Sequence, residues 1–409
     1  MPFPTQYATF ALQRKDTIMK LTPHTRGTLL GTMLILSTLL CAQAQDKFQF
    51  RQGGYAQALI QVGAPNALPA VGNPSSEAGS ALLRMGVRRA YWGAVASYKG
   101  WKVEGQLTAP GTHIDLYKMY IGYSPLRFPA WYAQVGLSPV RFGMELATSS
   151  RDRETIERAP YYKDLFPGDV DLGCLVRYTL PGGARAYINH FTAEAALLGG
   201  NAKYRVRKAW PDALLRLEAG HRDALMDWRC GASGYVGYVA DDSGMRWTRY
   251  YIGAHLRYAL FLPFGTAKLY AEGIVGQHPA PEGKSTAAAK DLPAHDAMQP
   301  RAFTGAMAMM ALRANRCPVE GVLKYSYYNR NRLLTKQMQS GRMPDKADFA
   351  CEGVSHDFLL GVNAYLHRDK VRLSLYYDFV YRQTAADEAF RPIWARHDDL
   401  ASLALQVAF

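Results

Sequence analysis

Leu400-Ala401-Ser402-Leu403-Ala404-Leu405-Gln406-Val407-Ala408-Phe409 closes the chain, and its alternation decides the fold. Leu403, Leu405, Val407 and Phe409 share one parity; Ser402, Ala404, Gln406 and Ala408 share the other. A period of two is strand geometry, because successive side chains point to opposite faces. One face is fully apolar and the other small or polar, which suits a wall between lipid and water. A soluble edge strand would show the same alternation, but an apolar edge left open at a chain end invites pairing with other chains.

The same pattern recurs upstream. Residues 371–381 place Val371, Leu373, Leu375, Tyr377, Phe379 and Tyr381 on one face, against Arg372, Ser374, Tyr376, Asp378 and Val380. Only His367-Arg368-Asp369-Lys370 separates this stretch from the one before it, whereas the links at 330–355 and 382–398 are long. Such alternation is expected of a barrel with short periplasmic turns and long outer loops, whose backbone groups must all be paired because lipid offers them no water. Further short turns are expected at Lys99-Gly100, Pro181-Gly182-Gly183, Leu262-Pro263-Phe264-Gly265 and residues 315–318. Period-two segments lie near 48–62, 81–98, 101–108, 114–123, 130–138, 171–179, 184–192 and 213–221. They continue near 230–239, 249–260, 266–276, 303–313, 319–329, 357–366, 371–381 and 399–409. The expected fold is therefore all-β: a transmembrane antiparallel β-barrel of about 16 strands, an even number that returns both termini to one side. A chain ending in Phe on such a strand resembles the terminal recognition strand of outer-membrane barrels. That resemblance makes Leu403, Leu405, Val407 and Phe409 a signal read by barrel-assembly machinery.

At the other end, Lys20, His24 and Arg26 precede an apolar run over 29–40 and then Ala42-Gln43-Ala44, the charged, apolar and small-residue order of a secretory signal peptide. Residues 1–44 are expected to be cleaved, with Met19 an alternative start, leaving 45–409 as the barrel. The run is shorter than the roughly 20 residues of a membrane-spanning helix. Losing residues 1–44 removes four basic residues and one acidic residue from a chain of formal charge +14, leaving +11. Export makes nucleic acid an improbable partner for that charge and leaves anionic lipid headgroups, lipopolysaccharide or anionic solutes. Four cysteines remain, Cys174, Cys230, Cys317 and Cys351; their spacing matches no metal motif, and the topology sets Cys317 and Cys351 at opposite ends of the barrel. No metal or cofactor is expected.

The longest link, 139–170, is the third outer loop and carries Ser149-Ser150-Arg151-Asp152-Arg153-Glu154 and Glu157-Arg158. Around it, residues 84–178 resemble the phosphate-selective porin O and P family in its Bacteroidetes-like form. The likeness is carried by Arg88-Arg89-Ala90, by Lys118-Met119-Tyr120-Ile121-Gly122-Tyr123, and by Val135-Gly136-Leu137-Ser138-Pro139-Val140-Arg141-Phe142-Gly143-Met144-Glu145. It covers about a quarter of the chain closely. Two departures stand out: Gly168-Asp169-Val170-Asp171-Leu172-Gly173 lacks the basic residue that the family usually has after the first Gly, and residues 189–200 lack an Asn-Gly segment. The resemblance implies a porin, usually trimeric, whose third loop folds into the lumen.

With apolar residues facing lipid, the opposite parity faces the lumen and places Arg88, Lys102, Lys118, Arg177, Arg216, Arg257, Lys268, Lys324 and Arg372 there. Glu104, Glu218, Glu272, Glu320 and Asp378 share that interior, so the expected field is mixed with a positive bias. Together with Arg141, Arg151, Arg153 and Arg158 of the third loop, these residues favour anions. Each basic residue taken singly has a plainer reading: an ion pair that braces the wall, or a rim contact with lipopolysaccharide. Tyr91, Trp92, Trp101, Tyr250, Tyr251, Tyr325, Tyr327, Tyr377 and Tyr381 are candidates for interfacial girdles. The nucleophile-elbow, zincin, phosphate-loop and paired-cysteine motifs are absent from the sequence, and His190, His255 and His356 lack a matched Ser, so the expectation is not an enzyme. The function expected is passive diffusion of small anions, phosphate or similar, through a porin. A non-conducting barrel serving as scaffold or secretion accessory is the alternative.

Overall fold

A computed structural model of the chain describes residues 48–63, 82–109, 113–180, 187–200, 210–281, 298–333, 353–367, 369–386, 392–395 and 399–409. The expected signal peptide at 1–44, the Pro181-Gly182-Gly183 turn and Cys351 lie outside the described residues.

The strands are β1 (Gln49–Gly63), β2 (Leu82–Tyr98), β3 (Trp101–Thr108), β4 (Asp115–Tyr123), β5 (Trp131–Pro139), β6 (Val170–Thr179), β7 (His190–Leu198), β8 (Asp212–Arg222) and β9 (Met226–Ala240). There follow β10 (Arg246–Leu262), β11 (Gly265–Gln277), β12 (Ala280–Pro281), β13 (Met298–Gln299), β14 (Ala302–Ala314), β15 (Val319–Asn329), β16 (Val354–Leu366), β17 (Val371–Ala386), β18 (Pro392–Ala395) and β19 (Leu400–Ala408). Each long strand pairs antiparallel with its sequence neighbour, and β19 pairs with both β17 and β1, so the 16-stranded barrel is closed. The short β12–β13 hairpin and β18 belong to outer loops. At the seam the Phe409 N–H donates to the Gly54 carbonyl (3.1 Å) and the Gly54 N–H to the Phe409 carbonyl (3.2 Å). Over 54–63 of β1 the seam is hydrogen-bonded throughout, as a wall in lipid requires.

The inside-outside assignment follows the sequence parity. Leu403, Leu405 and Val407 are 39%, 42% and 41% exposed on the outer face, while Ser402, Ala404 and Gln406 are 4%, 6% and 4% exposed within. Trp101 packs on Tyr123 (4.6 Å between centroids) and Trp131 on Tyr178 (5.1 Å), both with the Trp beside a short turn, as interfacial rings would. Tyr91 and Tyr251 do not join them: at 7% and 0% exposure they point inward, Tyr91 against Tyr55 and Tyr251 stacked on Tyr235.

Other departures have local causes. β7 runs from His190 to Leu198 rather than over 184–192, because its paired face is Thr192, Glu194 and Ala196, the stretch that lies opposite β6 and β8. Residues 241–245 join β9 to β10 in a tight outer turn, where Asp241 accepts from the Met245 N–H (2.9 Å), the Ser243 hydroxyl (2.7 Å) and the Trp247 indole (2.9 Å). Irregularities in the β1–β2 and β3–β4 ladders break strict alternation. The first inserts Arg88 between Val87 and Arg89, and the second inserts Tyr117 between Leu116 and Lys118.

Candidate functional site

The third loop, residues 140–169, is folded inward and carries its own apolar core. Phe142, Tyr161, Tyr162 and Leu165 are each no more than 2% exposed, the last three on the single-turn helix α1 (Tyr161–Leu165). Phe166 and Phe142 pack on Tyr251 of β10, and Tyr161 on Tyr328 of β15. Burying each such side chain contributes about 1.5–3 kcal/mol, so the loop is held by packing before any polar contact is considered.

Polar latches then fix its register. Glu272 of β11 accepts from the Met144 N–H (3.2 Å), the Glu145 N–H (3.1 Å) and the Tyr162 hydroxyl. Gly143 makes this approach possible: its φ is +61°, and a Cβ there would fall on Glu272 Oε1. Such a backbone conformation is open to glycine at little cost. Ser233 of β9 accepts from the Gly143 N–H (3.0 Å), and Arg216 of β8 donates to its carbonyl (3.1 Å). Lys268 and Tyr270 of β11 both reach Glu154 (2.8 and 2.7 Å), and Lys324 of β15 reaches Glu145. Asn363 of β16 and Tyr376 of β17 hold the Glu154 carbonyl, and Arg372 of β17 holds that of Arg153 (2.6 Å). Gln406 of β19 donates to the Arg151 carbonyl (3.2 Å), Tyr55 of β1 meets Ser150 (2.5 Å), and Arg88 of β2 pairs with Glu157 (2.5 Å).

These latches divide the expected basic set in two. Arg88, Arg153, Arg158, Lys268, Lys324 and Arg372 lie beneath or within the loop and are wholly or largely buried. Arg158 pairs with Asp169, and Lys268 also with Glu320 (2.9 Å). Arg257 stands over the Tyr270 ring at 5.8 Å with its Nε buried. Arg151 sits exposed at the loop tip. The other group keeps solvent contact: the side chains of Lys102 on β3, Lys118 on β4 and Arg177 on β6, and of Arg141 at the start of the loop, are 36%, 20%, 26% and 33% exposed.

The wall they line is a continuous polar strip across β3 to β8. Glu104 is gripped by Lys102 (2.7 Å) and Lys118, and accepts from Tyr120 (2.5 Å). Arg177 lies over the Tyr132 ring at 5.5 Å. Tyr132 in turn lies over Gly122, where any side chain would collide with its hydroxyl. Glu194 of β7, absent from the sequence candidates because its strand was displaced, is fully covered by Arg141 (2.8 Å), Arg177 (2.5 Å) and Arg216 (3.2 Å). Register puts Arg177 and Arg216 directly opposite it on the neighbouring strands. Cross-strand opposite charges on one face attract; here Lys102 and Lys118 share Glu104, and Arg141, Arg177 and Arg216 share Glu194, while Arg216 also pairs with Glu218 of its own strand, which His190 and His255 face too (3.0 and 3.2 Å).

Within the loop, burial pulls the Arg153 guanidinium down to about 9, with Arg158 and Arg89 adding to the effect, so it remains a cation at neutral pH. Burial would raise Glu157, but the charges of Arg88, Lys163 and Arg89 outweigh it and hold the carboxyl at about 2.

Neither a family model nor a curated protein matches the chain. Among solved structures it is similar to the outer membrane channel DcaP of Acinetobacter baumannii (TM-score 0.56, 12% identity, covering 90% of this chain and 99% of that one). It is similar also to OprB of Pseudomonas putida at high pH (0.54, 9%, 94% and 97%) and to Salmonella typhi OmpF in complex with daunomycin (0.53, 9%, 90% and 99%). At such identities the likeness is one of fold: the chain folds as a closed 16-stranded antiparallel barrel, as these outer-membrane proteins do.

Proposed function

We propose that the chain is an outer-membrane porin that passes small anions by diffusion, inorganic phosphate being the solute to which its family resemblance points. The observation that carries this reading is the split of basic residues: loop 3 is latched to β1, β2 and strands from β8 onward, while Lys102, Lys118 and Arg177 on β3, β4 and β6, with Arg141 at the start of the loop, stay solvated. A row of hydrated cations attracts anions, yet water screening keeps the attraction weak enough for release. Arg151 at the loop tip adds to the field at the mouth. Leu403, Leu405, Val407 and Phe409 are proposed to guide insertion, lipid and lipopolysaccharide to surround the barrel, and three copies to associate as a homotrimer.

The test is single-channel conductance of the refolded protein in planar bilayers, with the reversal potential read across a potassium chloride gradient and then a potassium phosphate gradient. Stable steps with anion selectivity, weakened when Lys102, Arg141 and Arg177 are replaced together by Gln, are the expected result. One observation favours a second reading: loop 3 has a packed core and latches to strands on many sides, as a plug would. A correctly folded barrel that never conducts would establish that non-conducting scaffold.

A further inference from the structure

Loop 3 buries one guanidinium that no carboxylate among the described residues neutralises. Arg153 is 3% exposed, and its guanidinium makes one weak hydrogen bond, from Nη2 to the Ile156 carbonyl at 3.5 Å. Its Nε and Nη1 are buried with no acceptor, although a guanidinium carries five N–H donors. No carboxylate among the described residues lies within ion-pair distance of it. Arg158, Arg89 and Arg88 act on it as like charges and Glu145 as an opposite one. The acids around it are already engaged: Glu145 by Lys324, Glu157 by Arg88, Asp169 by Arg158, and the neighbouring Glu154 by Lys268. The β1–β2 irregularity brings Arg88 and Arg89 to this region from adjacent positions; Arg89 makes no ion pair among the described residues, and only the more distant charges of Glu157 and Asp169 act on it.

A buried, unpaired charge is among the most costly things a fold can contain, because it loses hydration and gains nothing in return. Chains tolerate one where a counter-charge arrives from outside. We propose that a small oxyanion binds behind loop 3, between Arg153 and Arg89, and fastens the loop to the β1–β2 wall. Tyr55, packed on Tyr91 and bonded through its hydroxyl to Ser150 of the loop, stands beside the same two arginines. This is a structural site, distinct from the solvated strip of Lys102, Lys118, Arg141 and Arg177, and it holds whether or not the barrel conducts. Its ligand is a free anion from the lumen, since the barrel wall separates these arginines from lipid headgroups.

The test uses the full folded barrel in detergent, equilibrated in gluconate buffer and titrated with inorganic phosphate at constant ionic strength, with the thermal midpoint as readout. A ligand that binds only the folded state raises stability as the logarithm of its concentration above the dissociation constant. Wild type is expected to show such a saturable rise, and Arg127→Gln, altered at an exposed position in the β4–β5 turn, to keep it. Arg153→Met removes the unpaired charge, so it is expected to equal or exceed wild type without phosphate and to ignore phosphate. Equilibrium dialysis against radiolabelled phosphate is expected to give one anion per chain in wild type and none in Arg153→Met. A wild-type midpoint that stays flat while dialysis finds no bound anion, or a rise equally large in Arg153→Met, would overturn the proposal. Should Arg153→Met not fold, Arg153→Gln takes its place, and the wild-type dialysis result decides alone.

Discussion

At the scale of the residue, parity made the inward set legible and burial did not. Alternation put Lys102, Lys118, Arg177, Arg216 and Arg372 on the lumen side, and all of them point there. Nothing in a period of two distinguishes a lumen cation in water from one beneath a folded loop. That division arises from where residues 140–169 settle, and it leaves Arg177 solvated but Arg372 at 3% exposure. Glu194 shows the sharper consequence. Its side chain is completely buried and shared by Arg141, Arg177 and Arg216. Glu194→Gln removes the negative charge while preserving size, so three guanidiniums are left to face the solvated wall together. The reversal potential is expected to move further toward the anion limit. The barrel loses stability as well, since breaking a buried pair from one side costs about 3–5 kcal/mol. An unchanged or more cation-selective potential would show that this strip does not set the field in the pore.

At the scale of the element, loop 3 was visible as a long link and its attachment was not. Its latches join residues far apart in sequence, such as Glu272 with Met144 or Tyr376 with Glu154. Single-strand patterns hold no trace of such pairings. Two experiments probe them. Glu272→Ala strips the acceptor from two backbone N–H groups and the Tyr162 hydroxyl, each orphan costing about 1–3 kcal/mol. The loop should then detach, seen as more frequent closing events in bilayers and as trypsin cleavage after Arg151 in an otherwise folded barrel. The second concerns pH. The Glu157 carboxyl is held at about 2 against an ordinary 4.5, so its pairing with Arg88 stabilises the latched loop fully above 4.5 and loses that contribution as pH falls toward 2. Glu157 keeps 26% of its side-chain surface exposed, which screens the pair and softens the transition. In Arg88→Gln the carboxyl regains a higher affinity for protons, so acid-induced closing events should begin at higher pH than in wild type. An onset that does not move would mean that other groups govern the acid response.

At the scale of the whole molecule, closure was the most legible property, because the alternating strands and the even count imposed it before any contact was known. What the pattern leaves open is whether the last residue matters to the barrel or to the machinery that builds it. Phe409 is 64% exposed and outward, and a pair of backbone hydrogen bonds with Gly54 links it to the wall at the end of the barrel where β19 finishes. Water reaches that end, and a hydrogen bond that solvent can replace is worth only about 0.5–1.5 kcal/mol. Deleting Phe409 should therefore leave a barrel refolded in detergent nearly as stable as wild type, running as the fast, folded band on an unboiled gel. Deleting 400–409 is a different matter, for it exposes the β1 edge over 55–63 and the β17 edge over 371–378 and should abolish the folded band. In cells the two roles separate. If Phe409 is read as an assembly signal, the single deletion should sharply lower the amount reaching the outer membrane while refolding in detergent is untouched. Equal yield in both settings would assign Phe409 to the seam alone and move the assembly signal to Leu403, Leu405 and Val407.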